Sequence, residues 1–139
     1  MCCPGLKRPK FHRKGYNSAK FSLDLFVQQF IFMAGILIID DDTFICRAIQ
    51  KQLSQKGFVA DTSFTGRSGL KMLKKKSYDL VLCDFRLPDM DGLAILHEIK
   101  RMDLNVPVII ITAYADVRLA VQLIKQGAAD YLTKPLQHE

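Results

Sequence analysis

The chain has 139 residues, 49% of them hydrophobic, which is room for one domain with a real core. Its net charge of +6 is unevenly spread: residues 1–32 hold six Lys and Arg against one Asp, and residues 33–139 hold fourteen against thirteen Asp and Glu. The basicity belongs to a leader, and without a basic stripe interleaved with aromatics the domain is not expected to bind nucleic acid directly.

The leader runs from a basic stretch, Cys2 to Lys20, into Phe21 to Met33, where Asp24, Gln28 and Gln29 interrupt the apolar residues. A spanning helix needs about 20 mainly apolar residues, so a membrane anchor of that kind is not expected. A signal peptide is not expected either, because the small-residue cleavage pattern is missing. Met33 stands three residues before the first strand, so the natural start is expected there, with residues 1–32 an upstream translated segment outside the fold. A short amphipathic anchoring or partner helix over residues 21–32 is the alternative. The four cysteines, Cys2, Cys3, Cys46 and Cys83, have neither zinc-ligand spacing nor the density of a disulfide framework, which fits a reducing, cytoplasmic compartment.

From Gly35 onward, short β-branched runs alternate with segments of helical period, the pattern of a parallel sheet with covering helices. Strands are predicted at Ile36–Asp40, Val59–Ser63, Leu80–Asp84, Val108–Thr112 and Asp130–Leu132. Helices are predicted at about Thr43–Gln55, Gly66–Lys75, Gly92–Met102 and Asp116–Lys125. The first helix offers Phe44, Ile45, Ala48, Ile49 and Leu53 as an apolar face, with Gly57 as its stop. Leu93, Ile95, Leu96 and Ile99 give the third helix its face, and Val117, Ala120, Val121 and Ile124 the fourth, which Gly127 ends. Lys74, Lys75 and Lys76 read as a helix end, favourable beside the negative pole of the helix. The first, third and fourth strands are apolar throughout, so they are expected to be central and covered on both faces. Cys83 then lies in a buried strand, acting as a small apolar residue.

Right-handed crossovers send every strand's carboxyl end to one edge, where ligand sites of such sheets lie. Asp40, Asp41, Asp84, Thr112 and Lys134 all fall at or just after those ends. Carboxylates gathered at the ends of apolar strands are costly unless a cation or a chemical step needs them. Asp42 is expected to be the N-cap of the first helix. Asp40 and Asp41 come one residue too early to be wholly in the loop, and their coincidence with Asp84 favours a shared metal pocket. Singly, Thr112 reads as a β-branched strand residue and Lys134 as a surface lysine. Together they supply a hydroxyl and a fixed positive charge for an anion with several oxygens. The Lys134–Pro135 bond is expected to be trans.

Ile36-Leu-Ile-Ile-Asp-Asp-Asp42, Asp84-Phe-Arg-Leu-Pro-Asp-Met-Asp-Gly-Leu93, Ile110-Ile-Thr-Ala-Tyr-Ala115 and Asp130-Tyr-Leu-Thr-Lys-Pro-Leu136 resemble, in order and spacing, a response-regulator receiver domain of bacterial two-component signalling. The flavour of residues 113–121 and 127–136 is most similar to receivers of enhancer-binding transcriptional activators. The resemblance implies a flavodoxin-like, doubly wound five-stranded parallel sheet in strand order 2-1-3-4-5, with the domain spanning 33–139. It implies a phosphoacceptor at Asp84, fed by a sensor histidine kinase, and Mg²⁺ on Asp40, Asp41, Asp84 and the backbone carbonyl of Arg86. Lys134 and Thr112 would contact phosphoryl oxygens, and Thr112 with Tyr131 would form the switch, although Tyr131 as a plain aromatic filler is the alternative. An output domain, and in some members a second copy, would be further partners. Arg86 and Tyr114 hold positions that tune dephosphorylation in the family.

The chain ends where the family's fifth helix would begin, so that helix and any output domain are expected to be missing. An aspartyl-phosphate-forming phosphohydrolase would want a second acid two residues after Asp84, where this chain has Arg86. A pseudo-receiver that is never phosphorylated would not need all five chemical positions filled. Intact-mass measurement of the protein from its own cells is expected to find a chain starting at or just after Met33, and one starting at Met1 overturns that boundary.

Overall fold

The structure is a computed structural model that describes residues 34–136. The expectations for the leader, and for a helix after Leu136, lie outside the described residues. The elements run β1 (Gly35–Ile39), α1 (Thr43–Gln55), β2 (Val59–Ser63), α2 (Gly66–Lys75), β3 (Leu80–Asp84), α3 (Gly92–Arg101), β4 (Val108–Thr112), α4 (Val117–Lys125) and β5 (Asp130–Thr133). All pairings are parallel and the strand order is β2-β1-β3-β4-β5, with β1, β3 and β4 central as their apolar runs require. Predicted bounds differ from these by at most one residue.

Alternation along each strand divides the core into two layers. Leu37, Ile39, Val81, Cys83, Val108 and Ile110 pack with Leu70 and Leu73 of α2, Ile95, Leu96 and Ile99 of α3, and Leu123 of α4. On the opposite face Ile36, Ile38, Leu82 and Ile111 pack with Cys46 and Ile49 of α1. Burial pushes the Cys46 thiol up to about 11, with help from the charges of Asp40 and Asp42, so it stays protonated.

Local chemistry stops the helices where the sequence indicates. Gly57 (φ 89°) and Gly127 (φ 102°) take the left-handed conformation, and Phe58 and Ala128 then return their amides to Leu53 and Leu123. Asp103 (φ 55°) does the same after α3, with the Leu104 amide on the Ile99 carbonyl, a role the sequence did not announce because aspartate adopts this region less readily than glycine. Among the described residues no helix is long and apolar enough to cross a membrane.

Two predicted helix faces need correction. Phe44 is 81% exposed and Ala48 is exposed, while Cys46 and Ile49 turn inward. On α4, Val117, Val121 and Ile124 are exposed and Leu123 is buried beside half-buried Leu119 and Ala120. Both helices carry apolar residues on more than one side. Periodicity alone cannot choose between rows when the sheet contact is narrower than the apolar arc.

Gly69 sets the spacing of α2 against the sheet: a Cβ there would lie 2.5 Å from Ile39 Cδ1 and 2.8 Å from Cγ1. Ile39 is fully buried and has nowhere to move. Gly69→Ala is therefore expected to destabilise the fold by on the order of 1 kcal/mol, overpacking outweighing the gain in helix propensity. Urea denaturation checks this, and an unchanged or raised midpoint overturns it.

Candidate functional site

The parity that builds the core also builds the site. Asp40 continues the row Ile36, Ile38 and Asp84 the row Leu80, Leu82; Lys134 follows Leu132, which is in register with Ile111. All three therefore project from the sheet's carboxyl edge on the α1 side. Lys134 Nζ lies 2.7 Å from Asp40 Oδ2 and 3.4 Å from Asp84 Oδ1. The side chains of Asp40, Asp84 and Lys134 are only 3%, 11% and 16% exposed, so these charges interact through a poorly screening medium. Asp40 Oδ1 also accepts the Asp42 amide at 2.9 Å. Asp42 caps α1 as expected, taking the amides of Phe44 (2.9 Å) and Ile45 (3.2 Å).

Asp40, Asp41 and Asp84 each offer a carboxylate oxygen within 4.8 Å of the others. Three carboxylates against one lysine leave two negative charges uncompensated. Burial, and then the charge of Asp40, hold the Asp84 carboxyl above its ordinary value; Lys134 opposes this and Asp41 adds to it. Burial alone would lower the Lys134 ammonium, but its hydrogen bond to Asp40 and the charges of Asp40 and Asp84 raise it. An oxygen-only donor set with an excess of two negative charges fits a small hard divalent cation such as Mg²⁺. Arg86, whose carbonyl the resemblance adds to the ligands, lies two residues beyond Asp84.

Thr112 and Tyr131 sit on the other face of the sheet, in the rows of Ile110 and its register partner. Thr112 is 1% exposed and its Oγ1 accepts the Tyr114 amide at 3.3 Å. The half-buried Tyr131 packs against the α2–α3–α4 core, donates its hydroxyl to the Tyr114 carbonyl and accepts the Asp116 amide at 3.3 Å. The Arg86 guanidinium lies 4.5 Å above the Tyr114 ring, a cation–π contact across the two loops flanking Asp84. The Lys134–Pro135 bond is cis, not trans as expected; the tertiary amide makes that isomer accessible.

Two polar groupings escaped the sequence. Asp61 on β2 accepts Lys76 Nζ and the Tyr78 hydroxyl, each at 2.7 Å, and the lysine hydrogen bond chiefly holds its carboxyl below the usual range. Asp89 accepts two amides of α2, at Gly66 and Arg67. Both join residues 15 or more positions apart, which no local pattern signals.

Residues 36–139 match the family described as the response regulator receiver domain. The chain belongs to that family. It is the receiver domain of a two-component response regulator, and its relatives include transcriptional regulators. It is 43% identical over 104 residues to the transcriptional regulatory protein ZraR of Escherichia coli K12, a match covering 75% of this chain and 24% of ZraR. The chain thus spans about a quarter of the length of that relative. Among solved structures, the beryllofluoride-activated NtrC4 receiver domain dimer is 32% identical with a TM-score of 0.72, covering 76% of this chain and 87% of that one. A chain of the CheX–CheY–BeF3–Mg²⁺ complex from Borrelia burgdorferi is 30% identical with a TM-score of 0.71, covering 75% of this chain and 80% of that one.

The raised Asp84 carboxyl has a consequence for stability. The native state holds this proton to higher pH than the unfolded chain, whose value is the ordinary 3.8. The contribution of Asp84 to stability therefore falls as pH rises from about 3.8 through the higher folded value, above which it is lost. Asp84→Asn keeps the shape and removes the charge, so at pH 7 without divalent cations it is expected to melt several degrees higher, on the order of 1 kcal/mol. Scanning calorimetry of both proteins checks this, and a lower melting temperature for the variant overturns it.

Proposed function

We propose that residues 33–139 form a phosphoacceptor switch, with residues 1–32 outside it, in which Asp84 receives a phosphoryl group from a phosphohistidine of a sensor histidine kinase. An Asp84 carboxylate oxygen bonds to phosphorus as the N–P bond breaks, and the imidazole leaves and takes a proton from solvent. The observation that carries this reading is the excess of negative charge around Asp84, with Asp40 and Asp41 beside it and Lys134 2.7 Å from Asp40. Mg²⁺ held by Asp40, Asp41, Asp84 and the Arg86 carbonyl would neutralise the charge that develops between acceptor and phosphoryl oxygens. The complex of a Borrelia relative with BeF3 and Mg²⁺ supports that cofactor.

Lys134, already aimed between Asp40 and Asp84, takes one phosphoryl oxygen, and the Thr112 hydroxyl takes another after leaving the Tyr114 amide. Releasing that amide disturbs the loop whose carbonyl Tyr131 holds, which links the chemistry to the α4–β5 surface. The likeness to ZraR supports an output domain that controls transcription, acting in the cytoplasm, and the NtrC4 dimer supports pairing with a second copy. The domain catalyses only its own phosphorylation and dephosphorylation.

Incubation with acetyl phosphate and Mg²⁺ is expected to add one phosphoryl group by intact mass. Label should be absent with EDTA or in Asp84→Ala, and Lys134→Ala should slow its appearance by roughly 10²-fold, as loss of one charge-stabilising group does. Persistence of the label in Asp84→Ala, or steady turnover of p-nitrophenyl phosphate, overturns the assignment.

A further inference from the structure

The loop between Asp84 and α3 carries two carboxylates that the acidic pocket does not use. Asp91 caps its own helix, accepting the Ala94 amide at 2.8 Å. Asp89 reaches outward instead: its Oδ1 accepts the Gly66 amide and its Oδ2 the Arg67 amide, both at 2.9 Å. Those amides open α2, where the Ser68 amide is met by the helix's own N-cap, Thr65 Oγ1, at 3.2 Å. The first turn of α2 is therefore closed in two halves, one by its N-cap and one by the acceptor loop.

The joint is packed as well as bonded. A Cβ on Gly66 would collide with Met90 Cγ, with Met90 Sδ at 2.6 Å and with Ile95 Cδ1 at 2.8 Å, so any larger residue would require Met90 and Ile95 to shift. A carboxylate spread over two amides at the positive end of a helix is a stronger anchor than a neutral acceptor. On the other side of the loop, Arg86 forms an antiparallel bridge with Asp91 and the Leu87 amide reaches the Met90 carbonyl at 3.2 Å. Arg86 thus stands in a short hairpin-like segment whose turn is tied to α2 by the two Asp89 hydrogen bonds and by Met90 packed against Gly66.

We propose that Asp89 is a positioning residue for the metal site: by holding the amides of Gly66 and Arg67 it fixes the loop that presents the Arg86 carbonyl beside Asp84, and joins α2 to that site. This rests on the phosphoacceptor reading above. Freed from α2, the loop keeps its base, where the Phe85 amide is on the Ile111 carbonyl and the Gly92 amide on the Phe85 carbonyl, but its turn is released, and a ligand carbonyl displaced by a fraction of an ångström binds the cation less well.

The test is a Mg²⁺ titration of the full chain followed by backbone amide chemical shifts, in wild type, Asp89→Ala, Asp89→Asn and Thr65→Ala. Asp89→Ala is expected to raise the Mg²⁺ dissociation constant about tenfold, with Asp89→Asn, which keeps one acceptor oxygen, in between. Thr65→Ala removes the other half of the same cap, so it should lower the melting temperature comparably and leave Mg²⁺ affinity within about twofold of wild type. The Gly66 and Arg67 signals should move with Mg²⁺ in wild type and stay still in Asp89→Ala. Wild-type affinity in both Asp89 variants, or equal weakening in Thr65→Ala, overturns the positioning role. Absence of Mg²⁺ binding by the wild type refutes the phosphoacceptor reading itself, and shows before any variant is compared.

Discussion

Negative charge gathered in one place is the constraint on which the upper edge of this sheet depends. Carboxylate oxygens within 4.8 Å of one another repel by about 3 kcal/mol per pair at an effective dielectric near 20. The fold answers with Lys134 between Asp40 and Asp84 and with the Asp42 amide on Asp40, and these leave the excess charge smaller but present. The strands bearing Asp40 and Asp84 are apolar and buried on both faces, so neither acid can withdraw into solvent without breaking the core. Rigid apolar strands thus hold the acids in an arrangement that solvent alone would disperse.

Strand parity then separates two jobs. Asp40, Asp84 and Lys134 belong to the α1 face, while Thr112 and Tyr131 belong to the face covered by α2, α3 and α4. Tyr114 is the junction between them: its amide is on Thr112, its carbonyl on the Tyr131 hydroxyl and its ring under the Arg86 guanidinium. Arg86 in turn belongs to the loop that Asp89 ties to α2. Under the phosphoacceptor reading, a change at Asp84 has one route to α2 through a carboxylate on two amides and another to β5 through Tyr114.

The order and the ends of the elements were legible because they rest on local signals: β-branched runs, Asp at helix starts, Gly57 and Gly127 at helix ends. The convergence of Asp40, Asp84 and Lys134 was legible too, since parallel strands carry their carboxyl ends to one edge whatever the packing. The buried rows of α1 and α4 were not, because Phe44, Val121 and Ile124 are as apolar as the residues that face the sheet. Nor could any spacing rule reveal Asp89 on Gly66 and Arg67, or Asp61 on Lys76 and Tyr78, since those pairs meet only after the chain has crossed between strands.

The weak attachment of α4 bears on how a phosphoryl group could act at a distance. Only Leu123 of that helix is buried, and its outward row of Val117, Val121 and Ile124 packs against nothing among the described residues that would bury it. A hundredfold preference for a second arrangement requires about 2.7 kcal/mol of differential interaction. Two or three hydrogen bonds of ordinary net strength, about 1 kcal/mol each, are of that size. The Tyr131 hydroxyl holds two of them, to the Tyr114 carbonyl and from the Asp116 amide, and Thr112 holds a third. A helix held by one fully buried leucine and the half-buried Leu119 can follow that small rearrangement more readily than α3, whose Ile95, Leu96 and Ile99 are all buried. Under the phosphoacceptor reading, the α4–β5 side is the part best placed to follow a change at Asp84, reached through Thr112 and Tyr114.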